Sequence, residues 1–196
     1  SDRTVHVMIG DVAGHGPDEA ALGVALRIAW RALTFAGLRG PDRMRELNRI
    51  LRTERSGNGV FATVLSLAIP PTGLMINAVR AGHPGMLLHH NGAVEWIQPP
   101  GAAALGLYDG EWPIDKIALP PGAGLVLLID GIFEGHSGRG SERLGEEGLL
   151  ELARSLADLP AAAFVDALID GAEEKAQAHG GLSDDIAIVR VERMPW

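Results

Sequence analysis

The chain has 196 residues, 46% of them hydrophobic, a net charge of −8 and no cysteine. That length suits one domain with a sizeable core, and the missing thiols exclude disulfides, a thiolate nucleophile and a thiolate metal site. The acidic balance, without a basic patch, argues against a nucleic-acid partner, and 26 Gly with 12 Pro exclude an all-helical fold.

Thr4 to Ile9 reads as a buried strand leading to Gly10 and Asp11. Gly14-His-Gly-Pro-Asp-Glu19 then opens an apolar helix over roughly 17–36, with Pro17 in its first turn and Gly37 as its stop. Leu22, Val24, Leu26, Ile28, Trp30, Leu33 and Phe35 make it apolar nearly all round, so burial on more than one face is expected. A second helix runs from Pro41 to about Glu54, with Met44, Leu47, Ile50 and Leu51 at helical spacing.

The period then changes to two. Phe61–Ile69 and Leu74–Ala81 read as a hairpin around Pro70-Pro-Thr-Gly73, and Met86–His90 and Ala93–Ile97 as another around Asn91-Gly92. Strands near 112–119 and 124–129 flank the turn Pro120-Pro-Gly122. Gly135-His-Ser-Gly-Arg-Gly140 reads as a polar loop. Helices near 146–158 and 160–179 follow, the second with Phe164, Val165, Leu168, Ile169 and Ala172 on one face. A closing strand is expected over Asp185–Val191. This order of helices and strands indicates an α+β fold, a sheet core with helices packed outside.

Three aspartates stand where apolar strands give way to glycine: Asp11, Asp130 and Asp184. One such residue is an ordinary turn aspartate. Three of them, each able to be held rigidly at a strand end, point to a hard divalent cation such as Mg²⁺ or Mn²⁺.

Six segments carry a family resemblance: Gly10-Asp-Val-Ala-Gly-His-Gly16, Phe61-Ala-Thr63, Ala81-Gly-His-Pro84, Leu105-Gly-Leu107, Ile129-Asp-Gly-Ile-Phe-Glu134 and Ser183-Asp-Asp-Ile-Ala187. In this order the chain resembles the PPM family of metal-dependent Ser/Thr protein phosphatases, in its bacterial SpoIIE-like (RsbU-like) branch. The resemblance covers nearly the whole chain. It implies a four-layer α-β-β-α sandwich of two antiparallel sheets flanked by helices, with a Mn²⁺/Mg²⁺ centre at one edge. It also implies direct attack of a metal-activated water on phosphoserine or phosphothreonine, without a phosphoenzyme. Asp11 would bridge the metals, the Val12 carbonyl would face the second, Asp130 and Asp184 would complete the first, and Asp185 would support from behind.

Two departures qualify that transfer. Relatives carry a further acidic Gly-Gly-Asp-like motif upstream, and none of the ten residues before Asp11 matches it. The chain is therefore read as a single SpoIIE-like domain over residues 1–196, cut short at its N-terminus and lacking the opening strands, with weak activity expected. Eukaryotic relatives place a histidine two residues after the bridging aspartate, where this chain has Ala13.

Other polar residues receive plainer readings. His15 is read as a loop residue bonding the backbone, His83 as a brace for a tight turn, and Arg80 as a surface side chain rather than a phosphate ligand. A zinc site from His83, His89 and His90 is disfavoured, because neighbours on a strand point to opposite faces. The glycines around Gly14 lack the Lys-Ser/Thr ending of a P-loop.

The leading expectation is a phosphatase acting on a phosphorylated regulatory protein, by resemblance an anti-sigma-factor antagonist, as the output module of a longer protein with an upstream sensor domain. The alternative is a catalytically weak or inactive module of the same fold that binds a partner protein. No run reaches the ~20 apolar residues of a membrane span, and Ser1-Asp-Arg-Thr4 shows no secretory signal. A cytoplasmic location without membrane contact is expected.

Overall fold

The computed structural model describes all residues except 1–2, 56, 58, 136–142, 178–180, 183 and 195–196. In chain order its elements are β1 (Val5–Val12), α1 (Pro17–Phe35), α2 (Gly40–Glu54), β2 (Ala62–Ile69), β3 (Met75–Ala81), β4 (Met86–His90), β5 (Ala93–Ile97), β6 (Gly101–Ala102), β7 (Asp115–Ala118), β8 (Gly124–Leu128), α3 (Gly145–Ser155), α4 (Ala161–Gln177) and β9 (Ile188–Glu192). The described residues form an α+β arrangement with two largely antiparallel sheets and four α-helices. The chain divides into two compact units, Ser1–His83 with Pro99–Ala118, and Pro84–Gln98 with Leu119–Trp196.

The first unit holds a sheet in the order β1-β2-β3-β6, with β7 also pairing β3. Among the described residues its parallel contacts are the short β3–β6 pairing and an isolated bridge between Val64 and Gly82. Strand alternation sends Ala62 and Val64 of β2, and Val79 and Ala81 of β3, to one face. There they meet Leu22, Leu26 and Trp30 from α1 and Met44, Leu47 and Leu51 from α2. Those spacings, four apart on α1 and three then four on α2, place each set along one stripe of its helix.

The α1 stripe is narrower than its composition predicts. Val24, Ile28 and Phe35 are exposed, at 49%, 57% and 81%. A helix lying on a sheet buries only the side that faces it, and apolar composition all round does not add a second contact.

The second unit holds a sheet in the order β5-β4-β8-β9, antiparallel throughout. The β4–β5 hairpin turns at Asn91 (φ 51°) and Gly92 (φ 72°), the left-handed pair that matches strand twist. Leu149 and Ala153 of α3 and Phe164, Leu168 and Ala172 of α4 pack on Leu87, Val94, Val126 and Leu128.

The strands on either side of Pro120-Pro-Gly122 join different sheets, β7 pairing β3 and β8 pairing β4 and β9. Two expected boundaries change. The residues expected to open β7 precede it: Trp112 is buried and its indole donates to the Ala103 carbonyl at 2.8 Å. The closing strand begins at Ile188, three residues late, because Asp184 and Asp185 lie in the turn that precedes the ladder with β8. The glycine-rich loop after Gly135 falls outside the described residues, as does Ser183. Among the described residues no helix is long and apolar enough to cross a membrane.

Candidate functional site

In the second unit, β8 is fully buried and ends at Leu128, so Ile129 and Asp130 emerge from the middle of a rigid sheet. The chain then tightens into a single 3-10 turn over Asp130–Ile132. The amides of Phe133 and Glu134 donate to the Asp130 carbonyl at 2.9 and 3.0 Å. Directly opposite, the Ile129 amide donates to Ala187, and Leu128 pairs with Ile188. This pairing carries the Asp184–Asp185 turn across Gly131: a Cβ on that glycine would lie 2.0 Å from the Asp185 carbonyl oxygen. Glycine is the residue that permits so close an approach.

The sequence-predicted Asp130 and Asp184 are thus brought together. Burial holds the Asp130 carboxyl above its ordinary pKa, and the charges of Glu134 and then Asp184 push it the same way, against hydrogen bonds from the Asp130 and Gly131 amides. Asp184 is exposed, and its Oδ1 accepts the Asp185 amide at 2.8 Å, which fixes the side chain over the turn. Glu134 is engaged elsewhere, in an ion pair with Arg143 at 2.7 Å. The donor chemistry of the pair would suit a hard cation, since Asp130 and Asp184 offer carboxylate oxygens whose charges repel each other. Among the described residues, however, no group of three or more His, Asp or Glu side chains is arranged to hold a metal.

In the first unit, Asp11 lies within β1 rather than beyond its end. It pairs with Thr63 of β2, and Val12 pairs with Ala62. Gly10 makes the neighbouring approach, since a Cβ there would meet the Thr63 carbonyl at 2.6 Å. Thr63 Oγ1 in turn hydrogen-bonds His83 Nδ1 at 2.9 Å. His83 is 1% exposed, and its carbonyl accepts from Arg80 at 2.9 Å. Arg80 also donates to the Pro99 carbonyl at 2.8 Å. It is therefore a half-buried clamp on the Ala81-Gly-His83 turn, and the surface reading of this arginine is corrected. The clamp was missed because nothing local in sequence distinguishes an arginine that finds carbonyls from one that finds water.

The remaining histidines separate. His15 is exposed between Gly14 and Gly16, both at positive φ. His89 stacks on Phe164 with ring centroids 4.6 Å apart, its Nε2 donating to the Ala157 carbonyl at 2.7 Å. That bond leaves Nδ1 to accept from Arg190 at 3.1 Å. Both ring nitrogens of His89 are thus spent on structure, which removes it from any zinc site.

A family model described as Stage II sporulation protein E (SpoIIE) matches residues 1–194. Among solved structures the chain is similar to the RsbU and RsbW domains of Rv1364c from Mycobacterium tuberculosis, at 26% identity and a TM-score of 0.81. That likeness covers 98% of this chain and 53% of the other, so the chain spans about half the length of the structure it matches. The SiaA PP2C domain of Pseudomonas aeruginosa is 21% identical with a TM-score of 0.77, over 96% of this chain and 78% of that one. The catalytic domain of the serine/threonine phosphatase PstP, in complex with two manganese ions, is 15% identical with a TM-score of 0.63, over 94% and 86%. At the last two identities the likeness is one of fold, and the fold is that of PP2C-type phosphatases. Because the family match runs through both units and both sheets, the chain belongs to the SpoIIE family.

Proposed function

We propose that this chain hydrolyses phosphoserine or phosphothreonine on a regulatory protein with the help of Mn²⁺ or Mg²⁺. The observation that carries the proposal is the Asp130–Asp184 pair, two carboxylates forced together by the Gly131 crossing in a chain of this family. In this reading Asp130 and Asp184 hold one cation, and Asp11 with the Val12 carbonyl supplies the further ligands that the family resemblance implies. The Asp185 amide orients Asp184. The cation, when bound, supplies a water of lowered pKa and neutralises charge on the phosphoryl oxygens. Thr63, His83 and Arg80 act as positioning residues for the strand opposite Asp11.

The substrate proposed is a phosphorylated anti-sigma-factor antagonist, with the chain as a cytoplasmic output module of a longer sensor protein. The RsbU and RsbW domains that share one solved chain support a partner of this regulatory class.

Release of phosphate from a phosphoserine peptide at millimolar Mn²⁺ tests the reaction. Wild type is expected to show Mn²⁺-dependent turnover that falls by at least a hundredfold in Asp130→Asn and Asp184→Asn while the fold persists. Turnover unchanged in either variant, or independent of the metal, would overturn the ligand assignment. A second reading, a weak or inactive module that binds its partner without turnover, draws on the absence of a three-residue metal-holding group among the described residues. Saturable Mn²⁺ binding without hydrolysis would favour it.

A further inference from the structure

A cavity of about 230 Å³ lies at the start of α2, on the helix-bearing face of the first unit's sheet. Arg39 lines it from the cap position before α2, Arg43 from α2 itself, His6 from β1, Ser66 from β2 and Asn77 from β3, and none of its described lining residues is acidic. His6 precedes Asp11 by five residues on the same strand, roughly 17 Å at the rise of an extended chain. The cavity is therefore separate from the aspartate end of the strand.

Arg43 is the unusual member. It is only 2% exposed, yet among the described residues no carboxylate pairs with it. Its two terminal nitrogens donate to hydroxyls, Thr34 Oγ1 at 2.7 Å and Ser66 Oγ at 2.8 Å. Its Nε is buried without an acceptor among the described residues. The Trp30 ring lies 4.7 Å from its Cζ and offsets part of the charge. Ser66 Oγ also accepts from the Trp30 indole at 3.2 Å, so its own proton remains to be given away.

A buried cation with no counter-charge among the described residues is costly, and an unsatisfied donor adds to the cost. Burial, followed by the neighbouring charge of Arg39, lowers the Arg43 pKa to about 10, so the guanidinium is still charged at neutral pH. The start of α2 adds little to this: Pro41 has no amide hydrogen, and Asp42, which pairs with Arg45, offsets the positive end of the helix dipole, so the charge at the cavity is that of the two guanidinium groups.

From this arrangement we infer that the cavity is a binding site for a free phosphate-class oxyanion, held by Arg43, Arg39 and the Ser66 hydroxyl. The inference stands independently of the metal-dependent reaction. A cavity of this volume accepts one tetrahedral oxyanion together with several waters, at roughly 30 Å³ per water.

The test is thermal unfolding of the EDTA-treated protein in inorganic phosphate up to 20 mM at fixed ionic strength. A bound anion raises the melting temperature along a saturable curve. Wild type and Asp130→Asn are expected to respond alike, because the aspartate site is silent without metal. Arg39→Gln and Ser66→Ala should weaken the apparent affinity at least fivefold, and Arg43→Met should abolish the response. Arg39 is exposed, so its variant keeps the test open even if Arg43→Met does not fold. No saturable rise in wild type, or equal rises in wild type, Arg39→Gln and Ser66→Ala, would overturn the site. O-phosphoserine serves as the second probe: a response to it and none to inorganic phosphate would overturn the free ion in favour of a phosphorylated side chain.

Discussion

Gly131 shows how much of the candidate centre depends on one missing side chain. With the Asp185 carbonyl 2.0 Å from its would-be Cβ, Gly131→Ala must push the Asp184–Asp185 turn away from Asp130. We expect a loss of roughly 1–3 kcal/mol in urea unfolding, the usual scale of overpacking, together with at least tenfold weaker Mn²⁺ binding by calorimetry. Asp130→Asn should behave oppositely in stability. Because the native pKa of Asp130 is raised above its unfolded value, the native state binds more protons between the two values, and metal-free stability rises as pH falls through the native pKa. At neutral pH the ionised carboxylate therefore costs stability. EDTA-treated Asp130→Asn should melt above wild type at pH 7, and the gap should close as pH falls toward the unfolded value of about 3.9. A variant that melts below wild type at pH 7 would show that Asp130 is stabilising as an ion.

At the scale of elements, the two amphipathic stripes were legible where spacing was restrictive. Met44, Leu47 and Leu51 on α2 and Phe164, Leu168 and Ala172 on α4 are buried as their spacing required, whereas Ile50, Val165 and Ile169 of the same expected stripes are half-buried at their margins. On α1 the apolar residues surround the axis, spacing loses its power, and Val24, Ile28 and Phe35 lie outside the contact. The same limit governs the strands. Asn91-Gly92 dictates a hairpin locally, whereas the assignment of β7 and β8 to different sheets is decided by distant pairing partners. At the candidate site, the turns that hold Asp130 and Asp184 could be placed because turn chemistry is local, whereas Asp11 lies inside β1. The Arg80 clamp and the buried Arg43 could not be read, since both arise from contacts far apart in sequence. Urea unfolding checks the helix account: Leu47→Ala should cost about 2–5 kcal/mol, and Ile28→Ser should stay within about 0.5 kcal/mol. Similar losses for both would mean that α1 is buried on its outer side as well.

Over the whole molecule, the SpoIIE match runs through residues 1–194, a span that includes the three aspartates of the proposal, Asp11, Asp130 and Asp184. The central claim is that these three aspartates bind one divalent centre. Calorimetric titration of Mn²⁺ into wild type, Asp11→Asn, Asp130→Asn and Asp184→Asn tests it most directly. The account predicts saturable binding to wild type and at least tenfold weaker binding to every variant. Equal affinity across the four proteins, or no binding to wild type at millimolar Mn²⁺, would contradict it.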